Sequence, residues 1–421
     1  MTVQQAYKIF DVRSDITKME LKKRYRRLMH MVHPDAVLNR DKSNKENVYR
    51  YSAYEINEAY TVLFNQTGQE SLKSNYKYDY KYSEYDEKYY GTDQENEEYD
   101  LTMQVLKEQA GTRDYTSLEE LNPEPGSYIA VVVKNTKSSF WASVKRGMDD
   151  AVKDLNQKMG YKGEDKIKIS FEGPSEETDV ESQINIIDAV LSENPAVLCL
   201  AAIDMESCEA QLEAAAENDI PVVVLDSGVQ SSLVNSVCAT DNYSMGAEAA
   251  NKLAEAIGGQ GQVAVMTHVA ASQTSRDREI GFTETIANNY PEIEIVNISH
   301  ENPETSMTEM AEAVLKLYPD VKGYFGTNEH ATNAVLDAVS ASGREIAVLG
   351  IDAGKKQIDA VKKGTEIGTF VQNSYGMGYA TVVAAMRADL ELENDTFINC
   401  GYQWIDGNSI ELSEYANYLY E

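Results

Sequence analysis

Polar side chains that could hold a hydroxylated ligand stand directly after several apolar runs of this chain. Carboxylates, amides and a guanidinium can accept and donate paired hydrogen bonds to neighbouring hydroxyls, and an aromatic face can cover the C–H side of a sugar ring. For any single residue a plain helix cap or turn is an equally good interpretation, because Asp and Asn favour both. The set as a whole predicts a sugar or polyol site with ligand contacts from Phe140, Trp141, Asp226, Asn242, Arg278, Asn328, Asp352 and Gln372.

A second group of chemically informative residues lies in the segment LKKRYRRLMHMVHPD, residues 21–35. Its apolar residues recur at helical spacing and leave the charged residues largely on the other faces, which predicts an amphipathic helix with a basic surface. Pro34 fixes its own φ and disfavours helical geometry at His33, so we expect the helix to end there. His33 and Asp35 are then presented from a loop. The segment EINEAYTVLF, residues 55–64, repeats the helical periodicity.

The elements that must position the polar set are short apolar runs that alternate with segments of helical periodicity. The runs occupy residues 128–133, 167–173, 196–202, 220–226, 262–267, 293–299, 323–328 and 346–352. They are nearly continuous in apolar residues, as expected for strands buried on both faces. Repeated strand–helix units predict two clusters of parallel strands covered by helices. Ligands bind beyond the carboxyl ends of such strands, where the polar set lies.

The chain is strongly acidic, with a formal net charge of −31 over 421 residues. Residues 1–70 hold 12 Lys and Arg against 9 Asp and Glu, whereas the remainder holds 26 against 60. An acidic body repels phosphate backbones, so we expect no nucleic-acid partner. The chain has no Walker or GxSxG motif and no Cys or His spacing typical of a metal site. The sequence therefore predicts neither an enzyme nor a cofactor or metal.

The sequence also predicts a compartment. No apolar stretch is long enough to span a bilayer, so no membrane insertion is expected. The first residues show no charged region followed by an apolar core, so no signal peptide is predicted. The four cysteines are scattered and are expected to be free thiols in a reducing compartment: Cys199, Cys208, Cys238 and Cys400. Together these features favour the cytoplasm.

Residues 68–125 differ in composition from both flanks. The segment YKYDYKYSEYDEKYY, residues 76–90, is rich in Tyr and charge but contains no Leu, Ile or Val. Such a segment cannot build a core, which predicts an acidic Tyr-rich linker, although a short helix around residues 101–109 is compatible with the pattern. The breaker sequence NPEPG, residues 122–126, is typical of a domain boundary.

The first 67 residues resemble a J-domain, the co-chaperone module of the DnaJ type. The resemblance rests on the HPD tripeptide after a basic helix, on the second amphipathic segment, and on the leading segment AYKIFDV, residues 6–12. It implies a small all-α helical hairpin that recruits a DnaK-type chaperone and stimulates its ATP hydrolysis. The chaperone contacts that the resemblance implies are Lys22, Lys23, Arg26, Arg27, His33, Pro34 and Asp35.

Residues 126–421 resemble the type 1 periplasmic sugar-binding proteins, the ribose- and galactose-binding group, whose fold the lactose-repressor sensor domain shares. Matching segments include SSFWASVKRG, VVVLDSG, CATDNYSMG, SRDREIGF and VLGIDAGKKQ. The resemblance puts the eight polar and aromatic residues at ligand-contacting positions. It implies two α/β lobes that close over the ligand, formed by residues 126–240 with 373–402 and by residues 241–372 with 403–421. The strands that cross between the lobes are expected near Thr240, Gln372 and Tyr402.

Two departures from the ribose binders argue against ribose as the ligand. Ser227 stands where ribose binders carry Arg after the strand-end Asp. Ser138 and Ser139 stand where they carry Asn-Pro. Both changes remove hydrogen-bond donors from the cleft, so a different sugar, a polyol or another metabolite is expected.

The predicted architecture is multi-domain, with an all-α J-domain-like module at 1–67, a linker at 68–125, and a two-lobed α/β fold with parallel sheets at 126–421. The predicted function is non-enzymatic capture of a small sugar or polyol together with recruitment of a DnaK-type chaperone. Two alternatives stay open: a solute-binding component of a sugar ABC transport system, and a chaperone adaptor with a vestigial ligand site. A sugar-responsive transcription factor is disfavoured, because the first 65 residues lack the Gly-centred turn of a helix-turn-helix.

Overall fold

The computed structural model describes residues 2–10, 12, 59, 62–63, 101–302 and 304–420. The predicted chaperone contacts lie outside the described residues: Lys22, Lys23, Arg26, Arg27, His33, Pro34 and Asp35. Their roles therefore stay predictions.

Helix α1 spans Val3–Phe10 and overlaps the segment at residues 6–12 that was predicted as the first helix of the J-domain-like module. It begins at a reciprocal cap, because Thr2 Oγ1 accepts from Gln5 N at 3.3 Å and Gln5 Oε1 accepts from Thr2 N at 2.8 Å. The helix buries Ala6, Ile9 and Phe10, which recur at the spacing of one helical face.

The two-lobed body alternates strands and helices along the chain. Its strands are β1 (Tyr128–Val132), β2 (Lys168–Ile169), β3 (Val197–Leu200), β4 (Val222–Leu225), β5 (Ser236–Ala239), β6 (Gly261–Thr267), β7 (Ile293–His300), β8 (Val321–Gly326), β9 (Ala347–Ile351), β10 (Gly368–Gln372), β11 (Phe397–Asn399) and β12 (Tyr402–Asp406).

The helices described in the two-lobed body, numbered on from α1, cover both faces of the sheets. They are α2 (Leu101–Gln109), α3 (Ser139–Met159), α4 (Val180–Ser192), α5 (Glu209–Glu217), α6 (Asn242–Ala256), α7 (Gln273–Asn289), α8 (Met307–Leu317), α9 (Glu329–Ser342), α10 (Lys355–Lys363) and α11 (Ser374–Asp389), with 3₁₀ turns at Gly163–Asp165 and Ser413–Tyr418. Among these described helices, none combines the length and the apolar character that crossing a membrane requires.

Two sheets form the lobes. Within the described residues the first sheet has the order β2-β1-β3-β4-β5-β11 and the second has the order β7-β6-β8-β9-β10-β12. All pairs are parallel except β12, which runs antiparallel to β10. Strands β3 and β4 are buried at every position, as their continuous apolar runs predict. The predicted two-lobed α/β fold with parallel sheets is confirmed.

The chain passes between the two sheets three times, after β5, after β10 and after β11. Thr240 Oγ1, in the first crossing, donates to Gln372 Oε1, in the second, at 2.9 Å. Asn373 N donates to Gly401 O, in the third, at 3.1 Å. The three crossings therefore lie side by side and form one hinge between the lobes.

The packed body begins before residue 126, where the linker was predicted to end. Helix α2 and the segment that follows it add Leu106, Ala110, Tyr115 and Leu121 to the core of the first lobe. The prediction of a linker throughout 68–125 is therefore wrong for residues 101–125. A few apolar side chains in a polar stretch suffice for packing once a folded lobe offers them a surface, and composition alone does not reveal that surface.

The C-terminal segment also departs from its predicted place in the second lobe. The turn at Ser413–Tyr418 packs against α2 and α11 of the first lobe. Ile410, Tyr418 and Tyr420 join a core cluster that contains α3 and α11 residues. Residues 407–420 thus extend from the second lobe back to the first, because their spaced aromatic side chains find their apolar surface there.

Glycines allow two helix pairs to pack at close range. In the first lobe, a Cβ at Gly147 of α3 would overlap the backbone oxygen of Tyr375, and a Cβ at Gly378 of α11 would overlap that of Val144. In the second lobe, Gly281 of α7 lies equally close to the backbone of α6. These approaches leave no room for a side chain at any of the three glycines. The approach at Gly281 sets the position of α7, which carries Arg278.

Replacing Gly147 by valine is expected to destabilise the first lobe strongly. The added Cβ would overlap a backbone oxygen, which cannot rotate away, and overpacking of this kind costs about 1–3 kcal/mol or more. Urea unfolding of the full chain measures the loss. Ala142→Val, on the exposed side of the same helix, controls for a β-branched residue and should cost less than about 1 kcal/mol. Equal losses in the two variants would contradict the close packing.

Candidate ligand site

A cavity of about 560 Å³ lies between the lobes at the carboxyl ends of their strands. Its wall includes residues of α3, α7 and α9, the end of β10, and the chain that follows β1, β2, β4, β6, β7, β8 and β9. Parallel strands end at one edge of a sheet, so residues far apart in sequence meet there. Seven of the eight predicted ligand residues line the cavity: Phe140, Trp141, Asp226, Arg278, Asn328, Asp352 and Gln372.

Asp226 and Asp352 occupy equivalent places in the two lobes, each directly after a buried strand. Both adopt positive φ, 55° and 77°, a conformation that Asp tolerates better than most residues with a side chain. The Asp226 N–H donates to Cys238 O at 2.9 Å, and the Asp352 N–H donates to Phe370 O at 2.8 Å. These bonds to the neighbouring strands fix the two turns and hold both carboxylates at the cavity wall.

Asp226 forms a buried ion pair with Lys134, whose Nζ lies 3.0 Å from Asp226 Oδ2. The two side chains are only 4% and 7% exposed. Removing one partner of such a pair leaves an uncompensated charge, which typically costs about 3–5 kcal/mol. Lys134 is not among the predicted ligand residues. Its position directly after the apolar run at 128–133 is nevertheless a sequence feature that could have indicated a place at the sheet edge.

Asp352 accepts hydrogen bonds from three groups. Gln372 Nε2 donates at 2.8 Å, the Glu329 backbone N–H at 3.1 Å and the Tyr420 hydroxyl at 3.4 Å. Burial raises the pKa of Asp352, and the nearby Arg278 guanidinium opposes this rise. Because Gln372 also contacts the first hinge crossing, it connects Asp352 to the hinge.

Arg278 is 2% exposed and is held by groups of the second lobe. Its Nε donates to Asn242 Oδ1 at 2.8 Å and its Nη1 donates to Thr327 O at 2.7 Å. Its Nη2 makes no hydrogen bond with any described residue. Arg278 therefore keeps Nη2 as a donor nitrogen for a ligand in the cavity that it lines.

Asn242 does not line the cavity, which corrects its prediction as a direct ligand contact. Its side-chain oxygen accepts from Arg278, and its amide nitrogen donates to Thr240 O at 3.0 Å. Both polar ends are thus occupied behind Arg278. Asn242 positions the guanidinium and does not reach the cavity.

Asn328 is both a helix cap and a residue of the cavity wall. Its Oδ1 accepts from Ala331 N at 2.8 Å and so caps α9. The residue also lines the cavity, and its amide nitrogen makes no hydrogen bond with any described residue. One side chain therefore stabilises a helix start and presents a donor to the cavity.

Phe140 and Trp141, at the start of α3, form the aromatic wall. Their rings meet edge to face with centroids 5.0 Å apart. Tyr420 packs on Phe140 at 5.9 Å and also lines the cavity, although the sequence did not predict a contribution from the C-terminal segment. An aromatic wall opposite polar groups suits a ligand that has both C–H faces and hydroxyls.

Two further carboxylates that the sequence did not predict face the cavity. Glu177 Oε1 accepts from Asn135 Nδ2 at 2.7 Å and from Trp141 Nε1 at 3.4 Å. Glu329 Oε2 accepts from Ser139 Oγ at 3.0 Å. Burial raises the pKa of both carboxyl groups. Glu329 directly follows the apolar run at 323–328, which is a sequence signal of the same kind as that of Lys134, whereas Glu177 follows no such run.

Two histidines in the cavity wall have pKa values that are shifted in opposite directions. His268 lies between the hydroxyls of Thr327 and Thr274, at 3.2 and 2.9 Å, and burial holds its pKa well below the usual value. Its ring is therefore neutral, with one nitrogen donating and the other accepting. His330 lies 3.0 Å from Glu301, and the hydrogen bond between them raises the pKa of His330.

The lobes touch each other around the cavity. Ser139 Oγ of the first lobe bonds to Glu329 of the second, and Ser227 Oγ lies 3.0 Å from Ser272 Oγ across the same boundary. Ser227, where ribose binders carry Arg, thus contacts the opposite lobe. These direct bonds between lobes correspond to a closed arrangement.

Metal and disulfide chemistry have no structural support in the part of the chain that is described. No three His, Cys, Asp or Glu side chains there group as the ligands of a metal ion would. The four cysteines are free and buried, as the sequence predicted: Cys199, Cys208, Cys238 and Cys400.

Two α/β lobes, one hinge and a polar and aromatic cavity between them define a bilobal solute-binding protein. Residues 129–390, more than half of the chain, match the family described as periplasmic binding protein domain. The chain belongs to this family. Residues 5–72 match the DnaJ domain, so the chain also carries this module. Both predicted resemblances are confirmed.

Individual relatives agree with this assignment. The ribose import binding protein RbsB of Bacillus subtilis (strain 168) is 25% identical over 258 residues, which cover 61% of this chain and 80% of that protein. The D-allose-binding periplasmic protein of Escherichia coli (strain K12) is 23% identical over 259 residues, 59% of this chain and 80% of that protein. A solved ABC transporter solute-binding protein from Agrobacterium vitis with bound D-fucose has a TM-score of 0.62 at 28% identity, over 70% of this chain and 100% of that chain.

Proposed function

We propose that this protein is a non-enzymatic binding protein that captures a small sugar or polyol between its lobes and recruits a DnaK-type chaperone through its DnaJ domain. The ligand half is carried by one observation, the convergence of seven predicted polar and aromatic side chains on a single cavity. A volume of about 560 Å³ lies in the range typical of small-molecule sites. The wall offers carboxylate acceptors, a guanidinium and an amide donor beside aromatic rings.

The expected ligand is of monosaccharide size. The relatives are named for ribose and D-allose, and a structural neighbour holds D-fucose. Ribose itself is disfavoured for this chain, because Ser227 supplies no guanidinium and bonds to Ser272 instead. A sugar or polyol with a different hydroxyl pattern is therefore proposed.

The chaperone half rests on the DnaJ match at residues 5–72, which contains His33-Pro34-Asp35 after a basic stretch. In this proposal the HPD loop contacts the chaperone and stimulates its ATP hydrolysis. The basic face steers the encounter, since surface charges affect association rate more than affinity. The residues of this docking face are Lys22, Lys23, Arg26 and Arg27. We propose the cytoplasm as the compartment of both activities.

A second candidate function is delivery of the solute to a sugar ABC transporter. It is favoured by the relatives, which include an import binding protein and a transporter solute-binding protein. The two functions share the ligand site and differ in the partner, which is a DnaK-type chaperone at the DnaJ domain in the first and a transporter that receives the solute in the second.

A thermal-shift screen with sugars, polyols and nucleosides tests the ligand half. We expect at least one sugar or polyol to raise the melting temperature, because a ligand present at 100 times its Kd stabilises the folded state by about 2.7 kcal/mol. The Arg278→Ala variant should lose this shift, which separates site binding from general solute effects. If no compound shifts the wild-type protein, the ligand site is vestigial and the adaptor alternative is favoured.

A further inference from the structure

The interior of the cavity has an excess of negative charge. Lys134 and Arg278 are its buried cations, whereas its inward carboxylates are Asp226, Asp352, Glu177 and Glu329. The other charged lining residues do not change this balance. Glu301 pairs with His330, Glu176 pairs with Lys137 at the exposed rim, and Lys355 is exposed and forms no ion pair with a described acid.

Both buried cations are already engaged. Lys134 is paired with Asp226 at 3.0 Å. The charge of Arg278 opposes the rise that burial causes in the pKa of Asp352, although its hydrogen bonds go to Asn242 and Thr327. Glu177 and Glu329 form no ion pair with a described residue, although the charge of Lys134 also acts on Glu177.

The hydrogen bonds of Glu177 and Glu329 come from neutral donors and engage one oxygen of each carboxylate. Glu177 Oε1 is held by Asn135 and Trp141, and Glu329 Oε2 is held by Ser139. Glu177 Oε2 and Glu329 Oε1 accept no hydrogen bond from a described residue. Neither of these two oxygens is among the fully buried atoms that lack a partner, and both residues line the cavity.

The two carboxylates belong to opposite lobes. Glu177 precedes α4 in the first lobe and Glu329 begins α9 in the second. Desolvation contributes most to the raised pKa of Glu329, and the like charges of Asp352 and Glu177 raise it further. Lobe closure therefore brings like charges together, and a cation placed between them would convert this repulsion into attraction across the lobe boundary.

We propose that the ligand of this cavity carries an ammonium group in addition to its hydroxyls, as an amino sugar or an amino polyol does, and that Glu177 and Glu329 hold that group from opposite lobes. This inference rests on the proposed sugar or polyol binding and names its chemical class. An organic cation fits better than a metal ion, because the described carboxylates do not group as metal ligands. Arg278 Nη2 and the Asn328 amide remain available for the hydroxyl oxygens of the same ligand.

Calorimetric titration of the full chain with matched amine and neutral compounds tests this inference. The pairs are D-glucosamine and D-glucose, D-galactosamine and D-galactose, and D-glucamine and D-glucitol, with the N-acetylated amino sugars as uncharged controls of similar size. We expect an amine to bind at least tenfold more tightly than its neutral partner. The preference should decrease on acidification, because burial raises the pKa of Glu177 and Glu329 and protonation removes their charge.

The variants Glu177→Gln and Glu329→Gln should each reduce the amine preference at least threefold while conserving shape. Glu345→Gln removes an exposed carboxylate of the second lobe outside this cavity and should leave the preference unchanged. Because the readout is a ratio between two ligands, a general loss of affinity in a variant does not affect it. Neutral compounds that bind as tightly as the amines would overturn the inference and leave sugar binding intact. Absence of binding by every compound would overturn the proposed sugar or polyol binding as well.

Discussion

Replacing Arg278 by alanine is expected to weaken binding of the cavity ligand by about 10- to 150-fold. The guanidinium is 2% exposed, and its Nη2 makes no hydrogen bond with a described residue. A lost hydrogen bond to a charged group costs about 1.5–3 kcal/mol, and each 1.4 kcal/mol is a factor of ten in Kd. Isothermal titration with the compound that the thermal screen selects measures the change.

A matched control separates binding from stability. Arg278→Ala also removes the hydrogen bonds to Asn242 Oδ1 and Thr327 O, so the variant will lose some folding stability. Arg344 donates to several backbone oxygens of the second lobe, including those of Pro319 and Val321, and lies outside the ligand cavity. Arg344→Ala should therefore lower stability and leave affinity unchanged. Unchanged affinity in a folded Arg278→Ala protein would show that the ligand sits elsewhere.

Replacing His33 by glutamine is expected to abolish stimulation of a DnaK-type chaperone. The DnaJ domain spans residues 5–72, and in our proposal the loop after the basic segment makes the stimulating contact. Glutamine approximates the size of histidine but removes the imidazole from that contact. The steady-state ATPase rate of the chaperone, measured with the full chain added, should return to its unstimulated value.

The neighbouring His30 provides the control for this variant. It lies in the same basic segment but precedes the HPD loop, so His30→Gln should retain stimulation. Ligand affinity should be the same in the wild-type protein and in both variants, because none of the predicted chaperone contacts is among the residues that line the cavity. Loss of ligand affinity together with stimulation in His33→Gln would contradict independent action of the two modules.

Much of the two-lobed fold could be predicted because its signals are local. A strand that is buried on both faces needs an unbroken apolar run, and such runs at 196–202 and 220–226 correspond to β3 and β4. The polar residue after such a run must lie at the sheet edge where ligands bind. Asp226 and Asp352 are therefore visible in the sequence before any contact is known.

The electrostatic partners of these residues could not be predicted in the same way. Lys134 and Asp226 are 92 positions apart, and their pairing depends on the order of strands in the first sheet. Asn242 was placed among the ligand contacts by its position after a strand, but the geometry of α6 and α7 puts it behind Arg278. Strand order and helix packing decide such pairings, and neither has a periodic signature.

The sequence alone determined the two modules, the parallel sheets of the lobes and the edge at which the polar set gathers, because periodicity and chain order report directly which faces are buried. Only the tertiary structure decided that residues 101–125 pack on the first lobe, that Tyr420 reaches the cavity, and that Glu177 and Glu329 line it from opposite lobes. These features depend on surfaces that exist only after the lobes have folded and closed. Single side chains that dock on such surfaces are selected by shape and charge, which a linear pattern does not carry.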